Sequence, residues 1–211
     1  MLDLFSGLRG WSDPWKERGH EVITLDLDPK FKADLVMDIR DLTPDMLPWK
    51  PDVILASPPC EAFSVMQIGR CWTKNHLAKT TSAEEALDIV SATLALVRLL
   101  DPAVFVMENP RAKLRRLVEV HWPYLERRTV TYCQYGEERM KPTDLWSDRW
   151  PAALELIPPC HNGDPCHIRA VRGSTTGTQG MDRAVSAKIP APLSLAILDS
   201  IETDMEVVTW W

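Results

Sequence analysis

Val53-Ile54-Leu55-Ala56-Ser57-Pro58-Pro59-Cys60 is the stretch that decides the fold. Four apolar residues in a row read as a short strand buried on both faces, the pattern of a parallel sheet, and the Pro-Pro step stops it. A second run, Val104-Phe105-Val106-Met107, leads into Glu108-Asn109-Pro110. A thiol and a carboxyl group thus each leave the C-terminal end of a buried strand, the edge of an open α/β sheet where ligands bind. Cys60 can act as a nucleophile and Glu108 can give or take a proton, so the two motifs define one candidate active site. A buried Cys is otherwise a small hydrophobe; the order of two such strand ends is what favours chemistry. Asn109 and Pro110 restrict the loop that aims Glu108.

The N-terminus repeats the theme. Leu2-Asp3-Leu4-Phe5 reads as a strand, Ser6-Gly7-Leu8-Arg9-Gly10 as the turn into a helix from Trp11 to about Arg18, and Glu21-Val22-Ile23-Thr24-Leu25 as a second strand. Gly7 lets backbone approach a ligand, and Asp26 after the second strand suits the ribose hydroxyls of a nucleotide. A helix with apolar residues at helical spacing is expected from about Ala83 to Leu100, with Ser82 and Glu85 as a capping box and Asp101-Pro102 as its stop. Thr129-Val130-Thr131-Tyr132 reads as a further strand, and Pro192 to about Ile201 as a final helix.

Composition sets the bounds. A chain of 211 residues that is 45% hydrophobic can bury one good core, which predicts a single α/β domain with a small appendage. It has no run of eighteen apolar residues, and its first residues read as a core strand, so a cytoplasmic location in a bacterial or phage-infected cell is expected. Five cysteines, an odd number at low density, fit a reducing compartment. The formal charge of −6 is unusual for a binder of nucleic acid. A local basic face is still available from Arg111, Lys113, Arg115, Arg116, Arg127 and Arg128.

Asp3-Leu4-Phe5-Ser6-Gly7, Asp26-Leu27-Asp28, Asp38-Ile39, Pro58-Pro59-Cys60-Glu61-Ala62-Phe63-Ser64 and Glu108-Asn109-Pro110 together resemble, in order, the motifs of the cytosine-5 DNA methyltransferase family. The resemblance implies a Rossmann-like class I methyltransferase that uses S-adenosyl-L-methionine, with a mostly parallel sheet flanked by helices. It places Phe5, Ser6, Gly7 and Pro58 against the cofactor, Asp26 on its ribose, and Asp38 with Ile39 on its adenine. It makes Cys60 the nucleophile toward carbon 6 of a flipped cytosine in DNA and sets Glu108 at ring nitrogen 3. Asn109 and Ser64 join the substrate side. Arg139 and Lys141 resemble, with substitutions, a glutamine followed by two alternating arginines; Arg139 would then contact the flipped base and Lys141 a phosphate. The loop from Glu61 to Thr81 would close over the nucleotide, and Trp72 and Trp146 offer base stacking as the alternative to packing.

The resemblance divides the chain into a catalytic and cofactor-binding core (1–146), a reduced target-recognition insert (147–180) and a C-terminal helix returning to the core (181–211). So short an insert cannot build its own core, which leaves a very short target site, a second protomer or subunit, or relaxed selectivity. The Gly173–Gly180 tract is a flexible loop that can touch a DNA backbone. Cys160-His161 and Cys166-His167 read as turn residues, with no metal assigned; the alternative is a structural zinc held by Cys160, His161, Cys166 and His167. Ala184-Val185-Ser186 stands where the family has a Gly-Asn opening. The expected activity is methylation of cytosine carbon 5 in DNA, as in restriction-modification. Three alternatives stay open: the same reaction on transfer RNA, transfer of a modified one-carbon or carboxymethyl group, and a non-catalytic relative that binds nucleic acid.

Overall fold

The computed structural model describes residues 1–168 and 182–208. In chain order the elements are β1 (Leu2–Leu4), α1 (Ser12–Glu17), β2 (Ile23–Asp26), β3 (Leu35–Val36), β4 (Val53–Ala56), α2 (Ile68–Cys71), α3 (Thr81–Leu100), β5 (Val104–Pro110), α4 (Leu114–His121), β6 (Glu126–Thr131), β7 (Pro142–Ser147), α5 (Arg183–Ala187) and α6 (Ala191–Val208). The seven strands form one sheet in the order β3-β2-β1-β4-β5-β7-β6. The first five run parallel, and β7 lies antiparallel between β5 and β6.

Strand alternation splits the core in two. Leu2, Leu4, Ile54, Ala56, Phe105 and Met107 point to one face, where Leu94 and Val97 of α3 and Leu117 of α4 cover them. Val53, Leu55, Val104, Val106 and Leu145 point to the other, against Trp15 of α1 and Leu193 and Ile197 of α6. The molecule is therefore a helix-sheet-helix sandwich, as the apolar runs foretold.

Several boundaries differ from expectation. The cap of α3 is Thr80, whose hydroxyl accepts from the Ala83 amide at 3.3 Å, so the helix starts one residue before Ser82. The Glu21–Leu25 strand forms only from Ile23. β5 continues through Pro110, because β7 pairs Leu145, Asp144 and Thr143 with Glu108, Asn109 and Pro110; Glu108 sits inside a ladder, not on a loop beyond it. The segment Arg183–Met205 is apolar and long enough to cross a membrane, but Leu193, Ile197, Leu198 and Ile201 are buried in the second core, as in the core helix of a globular domain.

After Ser147 the chain runs back across the β6 side as a strap. Its contacts are few: the Arg128 guanidinium lies 4.6 Å from the centre of the Trp150 ring, Asp204 accepts from the Ala152 and Ala153 amides, and the Ile157 amide donates to the Tyr135 hydroxyl at 3.0 Å. The expectation for the Gly173–Gly180 tract lies outside the described residues.

Candidate active site

Parallel pairing puts the ends of β1, β2, β4 and β5 on one edge. The β1 end turns sharply: Phe5 has φ 65, a region that disfavours side chains, and Gly7 has φ 47. This turn aims the Gly7 amide at Asp26 Oδ2 (2.9 Å), while Asp26 Oδ1 accepts from the Asp28 amide (2.9 Å). Both strand ends are thereby locked around a cleft open to solvent. Phe5, Ser6, Gly7 and Asp26 line it. Pro58 is buried behind the cleft, and its neighbours Ser57 and Pro59 line it instead.

Asp38 and Ile39 are not part of that lining. Asp38 caps a helical turn and pairs with Arg40 at 2.6 Å, which holds its carboxyl below the usual range, and Ile39 is buried in the first core. Sequence reasoning missed Gly10, Trp11, Phe31, Lys188 and Ile189, all of which face the cleft. Gly10 carried a signal: a Cβ there would stand 2.4 Å from the Ile189 carbonyl oxygen, so only glycine lets the segment before α6 close over the cleft. Ala184 also lines the cleft, so the segment without the expected Gly-Asn still reaches it.

Beside this cleft, β4 and β5 carry the reactive groups. Asn109 Nδ2 donates to the Pro58 carbonyl at 2.8 Å, clamping the Cys60 turn to the Glu108 strand; Asn109 is fully buried and is a positioning residue. Glu108 Oε1 accepts from the Tyr132 hydroxyl at 2.9 Å. Burial pushes the Glu108 carboxyl up, with Lys141, Tyr132 and Ser57 opposing. Burial also pushes the Cys60 thiol up; the Glu108 charge adds to this and the Lys141 charge opposes it. Lys141 is itself buried, its ammonium 4.2 Å from the centre of the Tyr132 ring, and burial lowers its pKa against the pull of Glu108 and Cys60. Expected at a phosphate, Lys141 instead sits with Cys60 and Glu108. Cys60, Glu108, Lys141 and Tyr132 form one electrostatic unit, of which sequence reasoning lacked only Tyr132, read as a strand residue.

Arg139 lines an adjoining recess with Tyr132, Lys141 and Lys188. Ser64 heads a helical turn at the start of the loop beyond Cys60. That loop is anchored from within: Trp72 Nε1 donates to the Ala62 carbonyl at 2.8 Å, and Lys113 Nζ lies 2.6 Å from His76 Nδ1. Trp72 and Trp146 are both buried in the first core, which settles them as packing residues. The basic cluster is largely spent internally: Arg115 pairs with buried Asp144, Arg116 and Arg127 with Glu119, and Arg128 with Glu126. Of the four residues read as turn residues, with zinc ligation the alternative, His161 is 93% exposed, whereas Cys160, Cys166 and His167 gather around Cys133.

The arrangement joins a cleft with a carboxylate to a half-buried thiol and a buried carboxyl and ammonium. Residues 1–115 match the family model described as C-5 cytosine-specific DNA methylase. A "Probable DNA (cytosine-5)-methyltransferase" of Frog virus 3 (isolate Goorha) is 28% identical over 220 residues, covering 94% of this chain and 98% of that protein. A type II methyltransferase of Haemophilus parahaemolyticus is 30% identical over 128 residues, or 51% of this chain and 31% of its own. Among solved structures, a protein described as a DNA modification methyltransferase encoded within an E. coli prophage superposes with a TM-score of 0.51 at 17% identity, over 75% of this chain and 51% of that one. The chain thus spans about half the length of that structure, a likeness of fold.

Proposed function

Because the chain belongs to the C-5 cytosine-specific DNA methylase family, we propose that it methylates carbon 5 of cytosine in DNA, with Cys60 as the nucleophile and Glu108 as the acid. The observation that carries this reading is the clamped pair of strand ends, with half-buried Cys60 and buried Glu108 around Lys141 next to an open cleft. The cleft suits S-adenosylmethionine: Ser6 Oγ is buried without a partner, Asp26 presents a carboxylate, and the aromatic Phe5 and Phe31 flank them. When bound, that cofactor supplies an electrophilic methyl group on a sulfonium.

The residues of the chain do the rest. Cys60 sulfur adds to carbon 6 of the ring, which pushes electron density onto carbon 5 and makes it nucleophilic. Its thiol is held protonated by burial in the free protein, so it gives that proton up to water as it attacks, and Lys141 is the group that stabilises the thiolate as it forms. Glu108, kept protonated by burial, donates to ring nitrogen 3 and removes the charge that addition would otherwise place there. After methylation, loss of the carbon 5 proton to water re-forms the double bond and expels the Cys60 thiolate, and Glu108 recovers its proton. Carbon 6 is inaccessible within a stacked duplex, so the base must rotate out.

The test is incubation with methyl-labelled cofactor and either duplex DNA or transfer RNA, followed by mass spectrometry of the nucleosides. Label in 5-methylcytosine from DNA, abolished in Cys60→Ala with cofactor binding retained, is expected. Label confined to transfer RNA, or on another atom of the base, overturns the reading.

A further inference from the structure

Four ligand atoms converge where the strap returns to the turn after β6. Cys133 Sγ lies 3.2 Å from Cys160 Sγ and 3.8 Å from Cys166 Sγ. His167 Nδ1 lies 3.6 Å from Cys160 Sγ and 3.4 Å from Cys166 Sγ. All four atoms fall within 4.8 Å of one another. A tetrahedral zinc with Zn–S of about 2.3 Å and Zn–N of about 2.0–2.1 Å has S···S edges of about 3.8 Å and S···N edges of about 3.5 Å. Three of these four separations lie at those edges, and the Cys133–Cys160 pair at 3.2 Å is closer than its edge.

We propose that Cys133, Cys160, Cys166 and His167 bind one structural zinc ion that pins the strap to the catalytic core. Three thiols and an imidazole are a soft, closed donor set; with four protein ligands no position is left for a substrate, so the ion is structural and takes no part in catalysis. A disulfide accounts for less. It would join two of the sulfurs at about 2.05 Å and leave the third thiol and the imidazole gathered beside it without a reason. Binding releases the three thiol protons and takes the neutral imidazole through Nδ1. The surroundings suit thiolates: the Gln134 side-chain amide lies 3.8 Å from Cys166 Sγ and can donate to it, and the Cys160 amide is held by Thr131 Oγ1 at 3.1 Å, fixing the turn that presents the sulfur.

The position gives the ion its purpose. Among its described residues the strap gives the second core buried Leu154 and partly buried Trp150 and Leu156, too little to hold about twenty residues in place. Cys133 follows Tyr132, whose hydroxyl reaches Glu108, and Ile168, which follows His167, donates its amide to the Glu138 carbonyl at 2.7 Å. The zinc therefore fastens the strap against the same turn that carries Tyr132, Arg139 and Lys141. This site stands on its own ligand geometry, whatever reaction the neighbouring cleft performs.

The experiment is metal analysis of the full chain, purified under reducing conditions without chelator from zinc-supplemented cells. About one zinc per chain is expected. Cobalt exchanged into the protein should show thiolate-to-metal charge transfer and the visible bands of a tetrahedral ion. Cys166→Ala, at an exposed ligand, should lose the metal and become cleavable by protease within the strap, while His161→Ala keeps the metal in full. Wild-type protein without stoichiometric zinc, an octahedral cobalt spectrum, an intact mass that shows a Cys133–Cys160 disulfide, or equal metal loss in His161→Ala would each overturn the proposal. Metal content and the cobalt spectrum are read on the wild-type chain and do not depend on a variant folding.

Discussion

Replacing Asp3 by Asn should stabilise the protein at neutral and alkaline pH. Asp3 lies in the centre of β1, fully buried, and neither carboxylate oxygen has a hydrogen-bond partner. Burial, only partly offset by the nearby Ser12 hydroxyl and amide, pushes its pKa from the ordinary 3.8 up to about 7. At about 1.4 kcal/mol per pH unit, that displacement is worth about 4 kcal/mol against the ionised form. Because the folded pKa is the higher one, the penalty is absent below the unfolded value of 3.8, grows as pH rises, and is complete above about 7. Asn cannot ionise, and the cost of burying its amide does not change with pH. The stability of Asp3→Asn minus that of the parent should therefore climb by up to about 4 kcal/mol across this window, which for a chain of this size is a widening of the melting-temperature gap by about 10 °C. Urea unfolding of both proteins at a series of pH values measures it. A difference that stays flat from about pH 5 to 8.5 would refute the reasoning, because it would mean that Asp3 keeps its ordinary pKa in the folded chain.

Other perturbations address the site itself. Gly10→Ala drives a Cβ to 2.4 Å from the Ile189 carbonyl and should weaken cofactor binding at least about tenfold by calorimetry, whereas Gly69→Ala, with open space around it, leaves binding unchanged. Tyr132→Phe removes a hydrogen bond that favours ionised Glu108, so the alkaline limb of single-turnover methylation, if Glu108 sets it, should move up by about one pH unit. Lys141→Gln removes the cation that lowers the Cys60 pKa; alkylation of Cys60 by iodoacetamide should then need higher pH, and methylation should fall by about 10²-fold or more.

Much of the frame is legible along the chain because buried parallel strands announce themselves locally. Val53–Ala56 is a strand with the bounds the apolar run gives, and β1 and α3 differ from their readings by a residue or two. β7 is not legible: Pro142–Ser147 carries buried Thr143, Asp144 and Ser147, polar residues tolerated only because the strand is inserted between β5 and β6 and because Arg115 pairs with Asp144. The same tertiary pairing draws Arg115 onto buried Asp144 and extends β5 past Glu108. Lys141 looks like a surface cation in a charged run, yet its burial depends on Tyr132 folding beneath it. Cys133 has no local companion, so its approach to Cys160 and Cys166 appears only once β6 and the strap are brought together. Local pattern reveals strand ends and their motifs; it is silent where partners are distant in sequence.

The most direct measurement of the central claim is covalent trapping on duplex DNA in which the target cytosine carries fluorine at carbon 5. If Cys60 adds to carbon 6, methylation of such a base leaves no proton at carbon 5 to remove, and the thiolate cannot be expelled. The account predicts a denaturation-resistant protein–DNA adduct that requires cofactor, maps by peptide mass to Cys60, and is missing in Cys60→Ala. Turnover of the fluorinated DNA without an adduct, or an adduct that persists in Cys60→Ala, would contradict it.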